Sequence, residues 1–194
     1  MCENQEKTEA EVLQEAAEKI AGYLYGQTAA SKVTGKKKLL LTPFEEVEKE
    51  TVESLADGII SGEKHEMLKN ISHIEGKKDQ YLYDQSIMTK HYAELDSLLE
   101  DKDILATIAS VTRSDSKLYP RPTQFSKLMA TPFYFSMDEI LGAVARMKAE
   151  EAYEDIDVVE ASNGKKGLYS QKHMTKRYAQ ALIQEIEVDG PANP

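Results

Sequence analysis

The sequence predicts an α+β fold, mostly α, made of two tandem copies of one unit of about ninety residues. Three matched segments predict it. Leu82 to Ala93 (LYDQSIMTKHYA) returns as Leu168 to Ala179 (LYSQKHMTKRYA), 86 residues on and identical at 8 of 12 positions. Two unrelated stretches of that length share roughly one. Leu40 to Phe44 (LLTPF) matches Met129 to Phe133 (MATPF) at an offset of 89, and Gly76-Lys77-Lys78 matches Gly164-Lys165-Lys166 at 88. The three anchors keep their order while the offset shifts by three residues, as duplication followed by small insertions would produce.

Each copy opens on a helix. In copy one, Val12, Leu13, Ala16, Ala17, Ile20 and Leu24 recur at i, i+3 and i+4, the spacing of one helical face. Its counterpart, carrying Ile104, Leu105, Ile108 and Val111, is shorter and must end before Pro120 and Pro122. A second helix follows the Thr-Pro-Phe anchor. In copy two, Ser136-Met137-Asp138-Glu139 reads as a capping box, because Ser136 accepts from a backbone N–H while Glu139 reaches back. Phe135 and Ile140 occupy the staple positions around it. Its buried face is expected to be Ile140, Leu141, Val144 and Met147, and in copy one Val52, Leu55, Ala56 and Ile59.

A hairpin comes next. Asp155 to Glu160 alternates through Ile156, Val158 and Val159, Ser162-Asn163-Gly164 turns the chain, and Leu168-Tyr169 returns it. Asn-Gly favours such turns because both residues tolerate positive φ. Copy one has Ile71 and Ile74, then Glu75-Gly76-Lys77-Lys78, then Tyr81-Leu82-Tyr83. The closing helices are expected to start at Asp84 and Ser170, both good N-cap types. Tyr83 with Met88 and Tyr169 with Met174 would staple them, and Tyr92 and Tyr178 would continue the buried stripe.

Helix, helix, two-stranded hairpin and closing helix, with Asn163-Gly164 as the tip and Leu168-Tyr169-Ser170 returning to the core, resemble the winged-helix fold. The resemblance covers Arg121 to Ala179 best and is one of element order, so it implies architecture rather than activity. The expected layout is a disordered tail over 1–8, winged-helix-like repeats over 9–96 and 97–187, and a disordered tail over 188–194. Leu95, Leu98 and Leu99 lead from the first repeat into the second, so a shared interface is expected.

Composition narrows function. Lys and Arg number 24 against 34 Asp and Glu, a formal net charge of -10, which opposes non-specific attraction to nucleic acid or anionic lipid. The start of the chain is polar and acidic, and nothing approaches the roughly 18 apolar residues of a membrane span. Cys2 is the single cysteine. A reduced, cytoplasmic location and no membrane association are expected. His65, His73, His91 and His173 lack ligand spacing, and no phosphate loop, dinucleotide fingerprint or nucleophile elbow occurs. No enzyme activity, catalytic residue, metal or cofactor is therefore expected.

A winged helix that reads DNA lays the helix before the hairpin in the major groove. Here that helix is acidic: Glu45 to Asp57 sums to -5 and Asp138 to Glu151 to -2. The expected function is a non-enzymatic protein-interaction module, an accessory or assembly factor of a larger complex. Its partner would be basic and would meet Glu45, Glu46, Glu48 and Glu53. Tyr119 and Arg121, in the Pro-flanked Lys117 to Pro122 stretch, are further candidate anchors, since exposed Tyr and Arg often carry interfaces. The competing and favoured reading of that stretch is a linker pinned to the core by Leu118 and Tyr119. The alternative function is a DNA-binding transcriptional regulator, touching phosphate through Lys77, Lys78, Lys165, Lys166, Lys176 and Arg177.

Overall fold

A computed structural model describes residues 8–190. The expected tails at 1–7 and 191–194 lie outside them. The chain divides into two compact units between Asp101 and Lys102. The boundary expected after Asp96 falls inside a helix, Lys90–Glu100, that belongs whole to the first unit.

In the first unit, α1 (Glu9–Ala29) is followed by β1 (Thr34–Gly35), α2 (Lys36–Leu41), α3 (Lys49–Ser61), β2 (Ile71–Glu75), β3 (Gln80–Asp84) and α4 (Lys90–Glu100). The second unit repeats the series as α5 (Ile104–Leu118), β4 (Thr123–Gln124), α6 (Phe125–Met129), α7 (Met137–Met147), β5 (Ile156–Glu160), β6 (Lys166–Ser170) and α8 (Lys176–Gln184). The α+β, mostly helical class is therefore observed. Each sheet is antiparallel and has three strands rather than the expected two, ordered β1-β3-β2 and β4-β6-β5. The extra strands, Thr34–Gly35 and Thr123–Gln124, are two residues long, too short for alternation to reveal.

Thr8 caps α1 through a capping box with Glu11, so Thr8 is ordered rather than part of a tail. The buried face of α1 is Ala16, Ala17, Ile20 and Leu24, while Val12 and Leu13 stay partly exposed one turn above the core. Helix α3 buries Val52, Leu55, Ala56 and Ile59 and stops at Gly62, whose φ of 90° is the left-handed conformation that ends helices. The Ser136–Glu139 capping box opens α7, whose buried residues are Ile140, Ala143, Val144 and Met147. Leu141 faces outward instead of joining that stripe.

The strand-to-helix corners differ from expectation. Asp84 and Ser170 are the last residues of β3 and β6, and a turn follows each one, with Met88 N donating to Asp84 O and Met174 N to Ser170 O. The N-caps are Thr89 and Thr175, whose side chains accept from Tyr92 N and Tyr178 N. Tyr83 and Met88 still pack in one buried cluster with Ala93, as Tyr169 and Met174 do with Ala179. Tyr92 and Tyr178 lie outside the core, because moving the helix start from Asp84 to Thr89 rotates them off its buried face. Helix α8 runs on into a π-helical turn, Glu185–Asp189, so Val188 and Asp189 are helical instead of frayed.

Candidate functional site

Strand ends and caps set the equivalences between units. Residues 71–75 correspond to 156–160, 80–84 to 166–170, and Thr89 to Thr175. By this register Lys166 stands where Gln80 does, so the Gly-Lys-Lys match pairs residues that are not equivalent in the sheets. The hairpin loops differ in length, 76–79 against 161–165.

Each loop is held by one buried carboxylate at the C-terminal end of the closing helix, at positions 86 residues apart. In the first unit Asp101 accepts from Lys77 N (2.6 Å), Lys78 N (3.1 Å) and Tyr81 Oη (2.7 Å). The Lys78 ammonium donates to the Asp101 carbonyl. Burial, with Asp101 beside it, pushes the Tyr81 phenol well above its usual range. In the second unit Glu187 accepts from Lys165 Nζ (2.8 Å) and from the Gln124 amide, and Asn163 donates to its carbonyl (2.9 Å). The Lys165 hydrogen bond lowers the Glu187 pKa against the opposing effect of burial.

The candidate phosphate-contacting lysines are therefore engaged with acceptors of their own unit. Lys166 lies 3.5 Å from Glu160 and Lys176 3.9 Å from Asp157. Lys176 and Arg177 are exposed on the first turn of α8, whereas Lys172 and His173 belong to the preceding turn. Lys172 pairs at 3.4 Å with Asp155, a buried carboxylate that also takes Arg113 Nε (3.0 Å) and Ser170 Oγ (2.6 Å). The Arg113 hydrogen bond, helped by Ser170 and by the charge of Lys172, holds Asp155 far below the ordinary carboxylate range. This group ties α5 to the base of the hairpin.

The acidic candidates are all exposed, in the turn before α3 and on the helix itself. Glu45 and Glu46 form the turn before α3, Glu46 with φ 58°, Glu48 is the N-cap, and Glu53 is exposed on the helix. The helix starts at Lys49, not Glu45, because Pro43 and the left-handed Glu46 precede it. Leu118 and Tyr119 are 61% and 62% exposed, so that stretch is not pinned to the core as expected. Arg121 instead sits 5.2 Å over the Tyr119 ring, a solvent-exposed cation–π pair.

Sequence reasoning missed a cleft in the second unit. Its volume is about 450 Å³, and it runs between α6, α7 and the hairpin loop. Phe125, Met129, Met137 and Leu141 form its apolar wall, with Lys165, Lys166 and Glu187 opposite. Met129, Met137 and Leu141 are 43%, 42% and 42% exposed although each adjoins the core. The signal was available: Met137 and Leu141 are four residues apart, a second apolar stripe beside the buried one. In the first unit the equivalent α3 positions are Lys49 and Glu53, and Lys36, in the place of Phe125, pairs with Asp57 at 2.6 Å.

Among the described residues no three His, Cys, Asp or Glu side chains gather to hold a metal, and no helix is long and apolar enough to cross a membrane. Cys2 lies outside those residues.

Residues 102–190 match the family described as YdhW C-terminal domain. Over 180 residues, 93% of this chain and 82% of the relative, the sequence is 31% identical to uncharacterized protein YdhW of Escherichia coli strain K12. The chain belongs to the YdhW family. No solved structure matches it. The part matched as the YdhW C-terminal domain begins where the structure divides the units, and it contains the whole cleft.

Proposed function

We propose that this YdhW-family protein is a non-enzymatic protein-interaction module, an accessory or assembly factor that acts in the cytoplasm. Each unit is read as a winged helix, on the order helix, strand, two helices and hairpin, with the first strand pairing to the third. One observation carries the functional reading. The surface around the helix before the hairpin, where a DNA-reading winged helix meets its groove, is acidic in the first unit and apolar in the second. In the first unit carboxylates outnumber the cations, and in the second Lys165 and Lys166 are already paired with Glu187 and Glu160, which leaves little of the cationic surface that supplies most of the affinity for a polyanion. Charge follows the same division: residues 1–101 hold 12 Lys and Arg against 21 Asp and Glu, and residues 102–194 hold 12 against 13. A basic partner for the first unit follows from Glu45, Glu46, Glu48 and Glu53.

The test pairs affinity capture from native lysate with duplex titration. Expected is a protein partner released by high salt and lost from the Glu45→Lys/Glu46→Lys/Glu53→Lys chain, with no salt-steep duplex binding. A captured partner that resists high salt or is itself acidic would count against the reading. Duplex binding that falls steeply with salt and disappears on Lys77→Glu/Lys78→Glu/Lys165→Glu/Lys166→Glu would favour the regulator instead.

A further inference from the structure

Asn163-Gly164 lies in the loop between β5 and β6, and nowhere else in the chain does glycine follow asparagine. That pair carries a reaction of its own. The Gly164 backbone nitrogen can attack the Asn163 Cγ and close a succinimide ring. The N–Cγ bond forms, the Cγ–Nδ2 bond breaks, and Nδ2 leaves as ammonia with the proton from the Gly164 amide. Water then opens one of the two ring carbonyls, leaving aspartate or isoaspartate. Glycine favours the attack because no side chain shields its nitrogen. Beyond its chain neighbours, no atom lies within 4 Å of where a Gly164 Cβ would stand. Ser162, Asn163, Gly164 and Lys165 are all exposed, so water reaches the ring.

The fold holds each part of that reaction back. Gly164 N, the nucleophile, donates to Ala161 O at 2.9 Å. Asn163 Nδ2, the leaving group, donates to Glu187 O at 2.9 Å. Asn163 Oδ1 accepts from Lys165 N at 3.1 Å, which fixes the side chain in an Asx turn. Ser162 is held by Gln184, its N–H donating to Oε1 at 2.9 Å and its Oγ accepting from Nε2 at 3.0 Å. Glu187 is buried and takes Lys165 Nζ at 2.8 Å and the Gln124 amide. Ring closure needs Cγ and nitrogen in near-attack geometry, so these bonds must break first. The loop of the first unit, Gly76-Lys77-Lys78-Asp79, has nothing that can react this way.

We propose that Asn163 is a site of spontaneous deamidation, held closed by the tether to Gln184 and Glu187 and exposed when this loop opens locally. The change runs one way. The product carboxylate has no N–H for Glu187 O and adds a negative charge next to that residue, so a loop that has reacted cannot rebuild the same tether.

The full chain, incubated at mildly alkaline pH both native and in urea, tests this. Peptide mass spectrometry then reads succinimide, aspartate and isoaspartate at Asn163. In urea Asn163 should convert faster than Asn70, which the β-branched Ile71 follows. In the native chain its conversion should be slower than in urea by about tenfold or more, the factor a modest local-opening free energy supplies. Glu187→Ala and Gln184→Ala should each recover about threefold or more of that loss. Gln184→Ala is the milder change, since it frees Ser162 and leaves Glu187 in place. Urea unfolding of each variant separates local opening from global unfolding. No conversion in urea would overturn the site, and equal native and urea rates would overturn its protection. Variants that react at the parent's native rate, or only in proportion to global unfolding, would overturn the role of the tether.

Discussion

In the first unit the hairpin loop hangs from Asp101, and in the second it hangs from Glu187, 86 residues later and equally far from the N-cap of the closing helix. Asp101 reaches backbone N–H groups and a tyrosine hydroxyl directly. Glu187, one methylene longer, reaches a lysine ammonium and a glutamine amide instead. The volume beneath each loop is also exchanged between elements. In the first unit Tyr81 is the large residue on the strand and Ser97, on α4, is small; in the second Gly167 and Ile183 reverse the sizes. A Cβ on Gly167 would lie 3.0 Å from Ile183 Cδ1, and one on Gly76 would lie 2.4 Å from the Tyr81 ring. What the two units share is position, while the size and the chemistry at each position are free to change.

The largest break in this symmetry is expected at Asp155. Nothing in the first unit replaces its Arg113 and Ser170 bonds, since the equivalent Asn70 is exposed. Asp155→Ala should destabilise the second unit by about 3 kcal/mol, the lower end for a buried pair because Arg113 keeps a third of its surface in water. Residue-resolved hydrogen exchange on the full chain should show the loss in residues 102–190 and spare the first unit. Asp101→Ala should cost about 2 kcal/mol, since it removes three charge-assisted bonds whose backbone donors can turn partly to water. The amides of Lys77 and Lys78 should be the first to lose protection. Equal loss across both units in either variant would contradict the separation.

Gly167→Ala tests the volume exchange. Contacts of 3.0 Å to Ile183, 3.2 Å to Pro122 and 3.3 Å to Thr123 O leave little room, so about 1–2 kcal/mol of overpacking is expected. Adding Ile183→Val should recover part of it, as measured by a double-mutant cycle in denaturant.

Acid sharpens the contrast further. Asp155 and Glu187 titrate below their ordinary range in the folded second unit. Their contribution is complete above the unfolded carboxylate pKa of about 4 and fades as pH falls from there toward the folded values. In the first unit burial raises Asp96, against the Val33 N–H that it accepts at 2.7 Å. That shift acts in the opposite direction, and protonating Asp96 relieves its burial penalty. Hydrogen exchange at pH 5 and then at about pH 3 should therefore show the second unit losing protection faster. The smallest effect belongs to Arg121→Ala, which removes only an exposed cation–π contact and should shift stability by less than about 1 kcal/mol.

Much of this frame was legible in the sequence because duplication writes the same requirement twice. The Tyr, Met and Ala of each strand-to-helix corner recur since both corners bury them. The cap was misplaced because Asp84 and Ser170 are good cap types, and only the turn geometry shows that Thr89 and Thr175 serve instead. The carboxylate tethers were hidden since Asp101 and Glu187 differ in identity and act on loops about 20 residues away in sequence. The cleft was hidden for another reason. Leu141 follows directly on the buried Ile140, so periodicity alone assigns both to one stripe.

One frame carries two different outer faces. Met137→Lys with Leu141→Glu gives the second unit the residues that the first unit has at those positions. Thermal denaturation of the doubly substituted full chain measures whether these faces are separable from the frame. A midpoint within a few degrees of the parent is the predicted result, because surface substitutions away from buried features usually stay within about 0.5 kcal/mol. Unfolding of the second unit would contradict it, since those side chains would then belong to the frame.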